Sequence, residues 1–366
     1  MKLFLCQHCA QLLYFENRQC QQCLRRLGYL PAPGVLSALE QDAQDGRLWR
    51  ALASPEGRYR FCANAGYDAC NWLLPADSPE AFCATCRFNR TIPDLTQRDN
   101  LTRWRKFELA KHRLFYTLIR LGLPLPSRAE DPEYGLVFDF LADAPDAGGH
   151  KVMTGHEDGL IAINLTEADD AEREKLRMAM GETYRTLLGH LRHESGHYFW
   201  DRLVRDAGQI EPFREFFGDE RQDYQNALQA HYANGPAQNW QQSYISGYAS
   251  AHPWEDFAET WAHYLHIVDT LEMAFAFGIH IRPGIDERAG AGVALDFDPH
   301  DPGSIQRLIE AWLPLTFAVN SIIRCMGEAD FYPFLLSPRA VTKMGFIHEL
   351  VHRNRPAGPA SSSTGA

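Results

Sequence analysis

His193-Glu194-Ser195-Gly196-His197 sets two imidazoles four residues apart with a carboxylate beside the first. On a helix, positions four apart lie one turn above each other, so both rings can reach one ion while Glu194 reaches water instead. That chemistry is metal-assisted hydrolysis. The alternative is coincidence: with fifteen histidines in the chain, HExxH arises by composition alone on the order of a few per cent of the time. The context TLLGHLRHESGHYFW favours a helix, with Leu187, Leu188, Leu191 and Tyr198 as a core-facing stripe. Gly196 costs about 1 kcal/mol of helix propensity relative to alanine, so its position implies that another element packs closely there. His190 reads as packing or as support for the site.

Such a centre needs a third protein ligand and one open position. The segment YASAHPWEDFAETWAHYLH, Tyr248 to His266, offers it. Pro253 is a favoured first helical residue. Glu255 and Glu259 then share a face, while Phe257, Trp261, Leu265 and Val268 can face the core. Two carboxylates on an aromatic-rich helix are costly to bury unless metal or hydrogen bonds compensate; otherwise they are a solvated pair. Glu255, Glu259 and, more weakly, Asp256 all stand open as the third ligand.

Eight of the nine cysteines lie in the first 86 residues, in two quartets. Cys6, Cys9, Cys20 and Cys23 form two CxxC pairs ten residues apart, the spacing of a structural four-thiolate zinc site. Disulfides would allow about a hundred connectivities. Cys62, Cys70, Cys83 and Cys86 contain one CxxC pair. Either they complete a second zinc site or Cys62 and Cys70 are small buried hydrophobes. Cys325, in an apolar segment, reads as a buried core residue.

The net charge of -11 argues against gripping nucleic acid or an anionic membrane by charge. Lys2, Arg18, Arg25 and Arg26 do not make a basic stripe, so the cysteine modules read as structural or as docking a protein partner. No stretch is expected to reach the roughly 18–20 apolar residues of a membrane span, and MKLFLCQHC does not make a signal peptide. A cytoplasmic location is expected, and a reducing compartment favours metal over disulfides.

Several elements must position these groups. A zinc ribbon is expected over 1–34, ending at a turn-rich joint, LPAPG, and a second four-cysteine module over 35–95. The catalytic region should span 96–352, followed by a disordered tail over 353–366. A helix is expected from Asp99 to about Leu121, with Trp104, Phe107, Leu114, Phe115 and Leu118 inward. GLVFDFLAD and GLIAINL, ending at Asp143 and Leu165, read as strands. GLIAINL is either an edge strand that pairs with an extended peptide, with Asn164 as a contact, or a plain core strand. Helices follow from about Ala168 to Val204 with a break at Gly181, from Pro253 to about Phe275, from Ser304 to Cys325, and from Ser337 to Val351. The acidic runs AEDPE and EADDAERE read as solvated faces.

HExxH followed by a helix bearing ExxxE resembles the gluzincin pattern of thermolysin-like metallopeptidases. The closer likeness is to anthrax lethal factor, where the third ligand opens a comparable EFFAE helix and a tyrosine seven residues earlier faces the metal. Here EDFAE begins at Glu255, with Tyr248 seven residues before it. Through MGETYRTLLGHLRHESGHYFWDRL and HPWEDFAETWAHYLH, nearly the whole chain resembles the bacterial zinc-binding metallopeptidases that join a zinc-ribbon region to such a domain. The resemblance implies an α+β fold: a mostly helical gluzincin-like domain with a small mixed sheet, preceded by zinc ribbons. It implies His193, His197 and Glu255 as ligands of a catalytic zinc, Glu194 as general base, Glu259 orienting a ligand histidine, and Tyr248 donating to the oxyanion. Two structural zinc ions and a peptide or protein substrate complete that expectation. The 58 positions from His197 to Glu255 exceed the spacing in thermolysin, which keeps Glu259 open as the ligand. A non-catalytic binding protein would commonly lack one of these groups; hydrolysis of a non-peptide amide fits them equally.

Overall fold

A computed structural model describes residues 2–142, 154–284 and 292–353. The expected tail therefore lies almost wholly outside the described residues. The N-terminal region is built of short antiparallel strands. β1 (Phe4–Leu5) and β2 (Leu12–Leu13) form a hairpin around the first CxxC. β3 (Leu27–Leu30), β4 (Val35–Gln41), β5 (Trp49–Ala51), β6 (Ser54–Phe61) and β7 (Leu73–Pro75) follow as a five-stranded meander. β7 returns beside β3, where the Tyr29 amide donates to the Asn71 carbonyl at 2.8 Å, so the sheet rolls up and covers its edge. LPAPG is not a joint between modules. It is the turn of the β3–β4 hairpin, with Gly34 at φ +61°, because proline and glycine mark turns within a sheet as readily as between domains.

The boundary near residue 95 is also crossed by a sheet. β8 (Asn89–Thr91) pairs in parallel with β9 (Val137–Leu141), which pairs in parallel with β11 (Leu160–Asn164); β10 (Gly155–Glu157) runs antiparallel beside β11. α1 (Asn100–Arg120) connects β8 to β9 and lays Phe107 and Phe115 against Phe140 and Phe138, with ring centroids 5.9 and 6.0 Å apart. The five apolar positions expected to face inward on α1 are all buried. GLIAINL is interior to this sheet, which overturns the reading of it as an edge; among the described strands the edges are β10 and β8. Apolar alternation reports burial of a face, and an edge strand can share it with an interior one.

The helical layer contains α2 (Asp170–Ala179), α3 (Leu187–Trp200), α4 (Ile210–Phe217), α5 (Tyr224–Asn234), α6 (Pro253–Ala276), α7 (Ile305–Cys325) and α8 (Pro338–Arg353). The stretch expected from Ala168 is divided after α2 at the expected break, where Gly181 adopts φ +65°. Thr186 caps α3 by accepting from the Gly189 amide at 3.0 Å. The His252 ring accepts from the Trp254 amide at 3.1 Å, just ahead of Pro253, and so starts α6. α4 and α5 were not anticipated, and α5 buries none of its residues. One continuous apolar core extends from Phe4 to Val351.

Two readings of α7 are corrected. Cys325 is exposed, since the last turn of α7 projects beyond the core. By length and composition α7 also qualifies as a membrane span, contrary to expectation, although Leu308, Ile309, Ala311, Trp312 and Leu315 are buried within the fold.

Candidate metal centre

α3 and α6 meet at Gly196. A methyl group there would lie 2.8 Å from the Ala258 Cα, so glycine is what permits this approach. Next to it, Trp261 Nε1 donates to Ser195 Oγ at 3.1 Å and the Phe199 and Trp261 rings stack at 4.9 Å. Arg192 of α3 pairs with Asp269 of α6, which also accepts from Thr117 of α1 at 2.5 Å. The two helices are thus fixed in register before any metal is considered.

That register brings His193, His197 and Glu255 together. His193 Nε2 lies 3.1 Å from Glu255 Oε2 and 3.2 Å from His197 Nε2, and His197 Nε2 lies 3.5 Å from the same oxygen. A tetrahedral ion with bonds of about 2.0–2.1 Å has ligand–ligand edges of roughly 3.3 Å. Glu255 Oε2 is buried and has no hydrogen-bond partner among the described residues. A fully buried carboxylate oxygen without a donor needs a cation to offset its desolvation. His193 Nδ1 lies 2.7 Å from Glu259 Oε1, so this N–H donates to the carboxylate and leaves the Nε2 lone pair free for the cluster. Glu259 Oε2 accepts from Ser246 Oγ at 2.6 Å. Against the penalty of burial, Glu255 and Glu259 favour positive charge at this point, which an ion supplies in place of a second proton on His193. The residues present therefore fit a zinc ion.

Of the acids left open by the sequence, Glu255 reaches the cluster and Glu259 sits behind a ligand histidine. Asp256 turns the other way, to Lys343 of α8 at 2.5 Å. Burial, opposed by Lys343, pushes its carboxyl up to about 7.

Glu194 is buried beside the cluster, with Oε1 3.2 Å from His190 Nε2. His190 Nδ1 lies 2.8 Å from Glu167 Oε2, which also accepts from Arg185 at 3.0 Å. Glu167 Oε1 accepts from Thr154 at 2.5 Å. Burial disfavours charge on His190, yet Glu167 and Glu194 raise it to about 9. Glu167 opens the run EADDAERE and is buried, which corrects the reading of that run as wholly solvated. The run turns out of the sheet at Glu167 before α2 begins.

Tyr248 stands with its ring 5.9 Å from that of His193. Tyr224, which the sequence did not single out, donates to Glu255 Oε1 at 2.6 Å. Trp254 lies over His197 at 3.8 Å between ring centroids. Neither carries a motif that could have marked it. Asn164 is buried, and its side-chain oxygen accepts from the Thr166 amide at 2.9 Å and hydroxyl at 2.7 Å, capping the turn that follows β11. It is a capping residue on an interior strand. β10 lies against α3 instead, with His156 6.3 Å from His197 between ring centroids.

The cysteine sulfurs in each quartet all lie within 4.8 Å of one another. Cys6–Cys23 and Cys9–Cys20 separations are 3.7 and 3.5 Å, and Cys70–Cys83 is 3.7 Å. A disulfide needs about 2.05 Å, whereas four thiolates around zinc at about 2.3 Å stand roughly 3.8 Å apart. Behind the second quartet lies α1. His112 Nε2 is 3.2 Å from Cys70 Sγ, and Glu108 Oε2 is 3.6 Å from Cys86 Sγ.

Two helices converging two imidazoles and a carboxylate on one point, joined to cysteine quartets at zinc spacing, define a zinc-binding protein of mixed α and β structure. The chain belongs to the family described as "Putative zinc-binding metallo-peptidase", whose model matches residues 100–350, and it carries a zinc-ribbon domain matched over 3–97. It is 39% identical over 357 residues, 97% of each chain, to uncharacterized proteins of Mycobacterium bovis and of two Mycobacterium tuberculosis strains. No solved structure matches it.

Proposed function

We propose that the chain is a gluzincin-type zinc peptidase of the cytoplasm that hydrolyses peptide bonds, with one catalytic and two structural zinc ions. The observation that carries the reading is the partnerless, buried Glu255 Oε2 3.1 and 3.5 Å from two histidine nitrogens. His193, His197 and Glu255 would hold the catalytic ion. When bound, zinc supplies a Lewis acid that acidifies water and polarises a carbonyl.

The remaining roles belong to side chains. Glu194 takes the proton of the attacking water and returns it to the leaving amide nitrogen. Glu259 fixes the His193 tautomer, and Tyr224 orients Glu255 through its other oxygen. Tyr248 donates to the developing oxyanion, as its likeness to the tyrosine of anthrax lethal factor suggests. β10, lying against α3, is better placed than β11 to pair with an extended substrate.

The test combines metal analysis with turnover on a peptide library. Glu194→Gln should keep its zinc and lose about 100-fold or more in kcat. Undiminished cleavage by that variant would exclude Glu194 as base. No cleavage by the zinc-loaded wild type would sink the peptidase reading.

A further inference from the structure

His190 lies outside the HExxH motif, yet it is the residue that touches Glu194. We propose that His190, anchored by Glu167, is a positioning residue that fixes which oxygen of Glu194 faces the reacting water. This rests on the hydrolytic reading above.

A glutamate on a helix has several staggered side-chain rotamers and a broad terminal torsion. One N–H donor at a set position selects among them. His190 is one turn before Glu194 on α3, and its Nε2 sits 3.2 Å from Oε1. That contact occupies one carboxylate oxygen and leaves Oε2 as the proton acceptor. The ring cannot swing away cheaply, because its other nitrogen is 2.8 Å from Glu167 Oε2 and separation would strand buried charge. Glu167 is itself immobilised: Thr154 donates to one oxygen, and Arg185 donates to the other. Its backbone belongs to the turn Leu165–Ala168 directly after β11, so the chain of contacts runs from the sheet into the helix that bears Glu194. Ring packing on His193, at 6.5 Å between centroids, would need no such directed pair of contacts.

The experiment measures kcat, KM and zinc content for His190→Ala, His190→Gln, Glu167→Gln and the double variant His190→Ala/Glu167→Gln. A peptide hydroxamate provides a readout that needs no turnover, because the bound hydroxamate passes a proton to the base beside the metal. His190→Ala should lower kcat about 10- to 100-fold and weaken the hydroxamate comparably, with KM within about twofold and zinc retained. His190→Gln, whose amide still donates, should recover part of both. The double variant should be no worse than His190→Ala, since both residues act along one path. The proposal is overturned if His190→Ala keeps kcat and hydroxamate affinity, if both fall only in step with zinc content, or if glutamine rescues nothing. A wild type that cleaves no peptide would end the peptidase reading alone, and the hydroxamate series would still decide the role of His190.

Discussion

Cys6, Cys9, Cys20 and Cys23 sit on two loops, with Cys6 and Cys20 buried and Cys9 and Cys23 partly exposed. They are tied to the rolled sheet by the Gln7 side-chain amide, which donates to the Leu36 carbonyl and accepts from the Ala38 backbone at 3.2 and 2.7 Å, and by the Leu27 amide, which donates to the Arg18 carbonyl at 2.8 Å. Cys62, Cys70, Cys83 and Cys86 are all buried, and α1 presses His112 and Glu108 directly on them. Lys111, wholly buried, closes the arrangement by pairing with Glu108 at 2.7 Å and with Asn89 of β8. Four identical donors therefore do different work. The first quartet closes a local knuckle, whereas the second stands where the N-terminal sheet, the β8 strand and α1 meet. What a metal staple supports depends on what it is wired to.

The strongest way to break that comparison is to remove one thiolate from each quartet. Cys83→Ser should lose one zinc and destabilise the entire chain by more than about 4 kcal/mol in denaturant unfolding, because a buried metal and its neighbours fail together. If the helical region of this variant keeps its wild-type midpoint, the second quartet is no more than another local staple. His112→Ala comes next. It strips a buried hydrogen-bonding ring from between Cys70 and the Glu108 carbonyl, and should cost about 1–3 kcal/mol with zinc content unchanged. Cys9→Ser should also lose one zinc, yet cost no more than about 0.5–3 kcal/mol and leave the unfolding of the rest cooperative. A loss matching that of Cys83→Ser would erase the distinction.

The smallest effect concerns a third wired pair, Glu167 and His190. Burial opposes charge on both, but they hold each other ionised, with Glu167 lowered to about 2 and His190 raised to about 9. The His190 contribution is complete below its ordinary value of 6.5 and is lost as pH rises through 9. The Glu167 contribution is complete above its ordinary 4.5 and is lost as pH falls through 2. The melting-temperature advantage of wild type over His190→Gln should therefore shrink between pH 6.5 and 9. A constant difference across that range would mean that no charge is stored on the ring.

Much of the site could be read without coordinates. Four-residue spacing places His193 and His197 on one helical face, and Glu255 and Glu259 on another, whatever the rest of the chain does. Gly196 could be marked as a point of close approach from its helix cost alone, and Ala258 fills that space. Proline at Pro253 set the start of α6 to the residue. What escaped were partners distant in sequence and without pattern: Tyr224 on a helix with no fully buried residue, Trp254 over His197, and Glu167 hidden in an acidic run. The strand readings erred differently. The alternation of GLIAINL reports its buried residues, yet whether β11 has neighbours on one side or both depends on segments elsewhere in the chain.

The chain's own spacing determined the donor sets, because ligand geometry on a helix or a CxxC turn is local and repeats wherever those residues occur. Which carboxylate meets the histidines, which cysteine quartet carries the load, and which neighbour turns Glu194 were decided only by packing. Those choices depend on how α3, α6 and α1 cross, and crossing is a property of complementary surfaces rather than of any one segment.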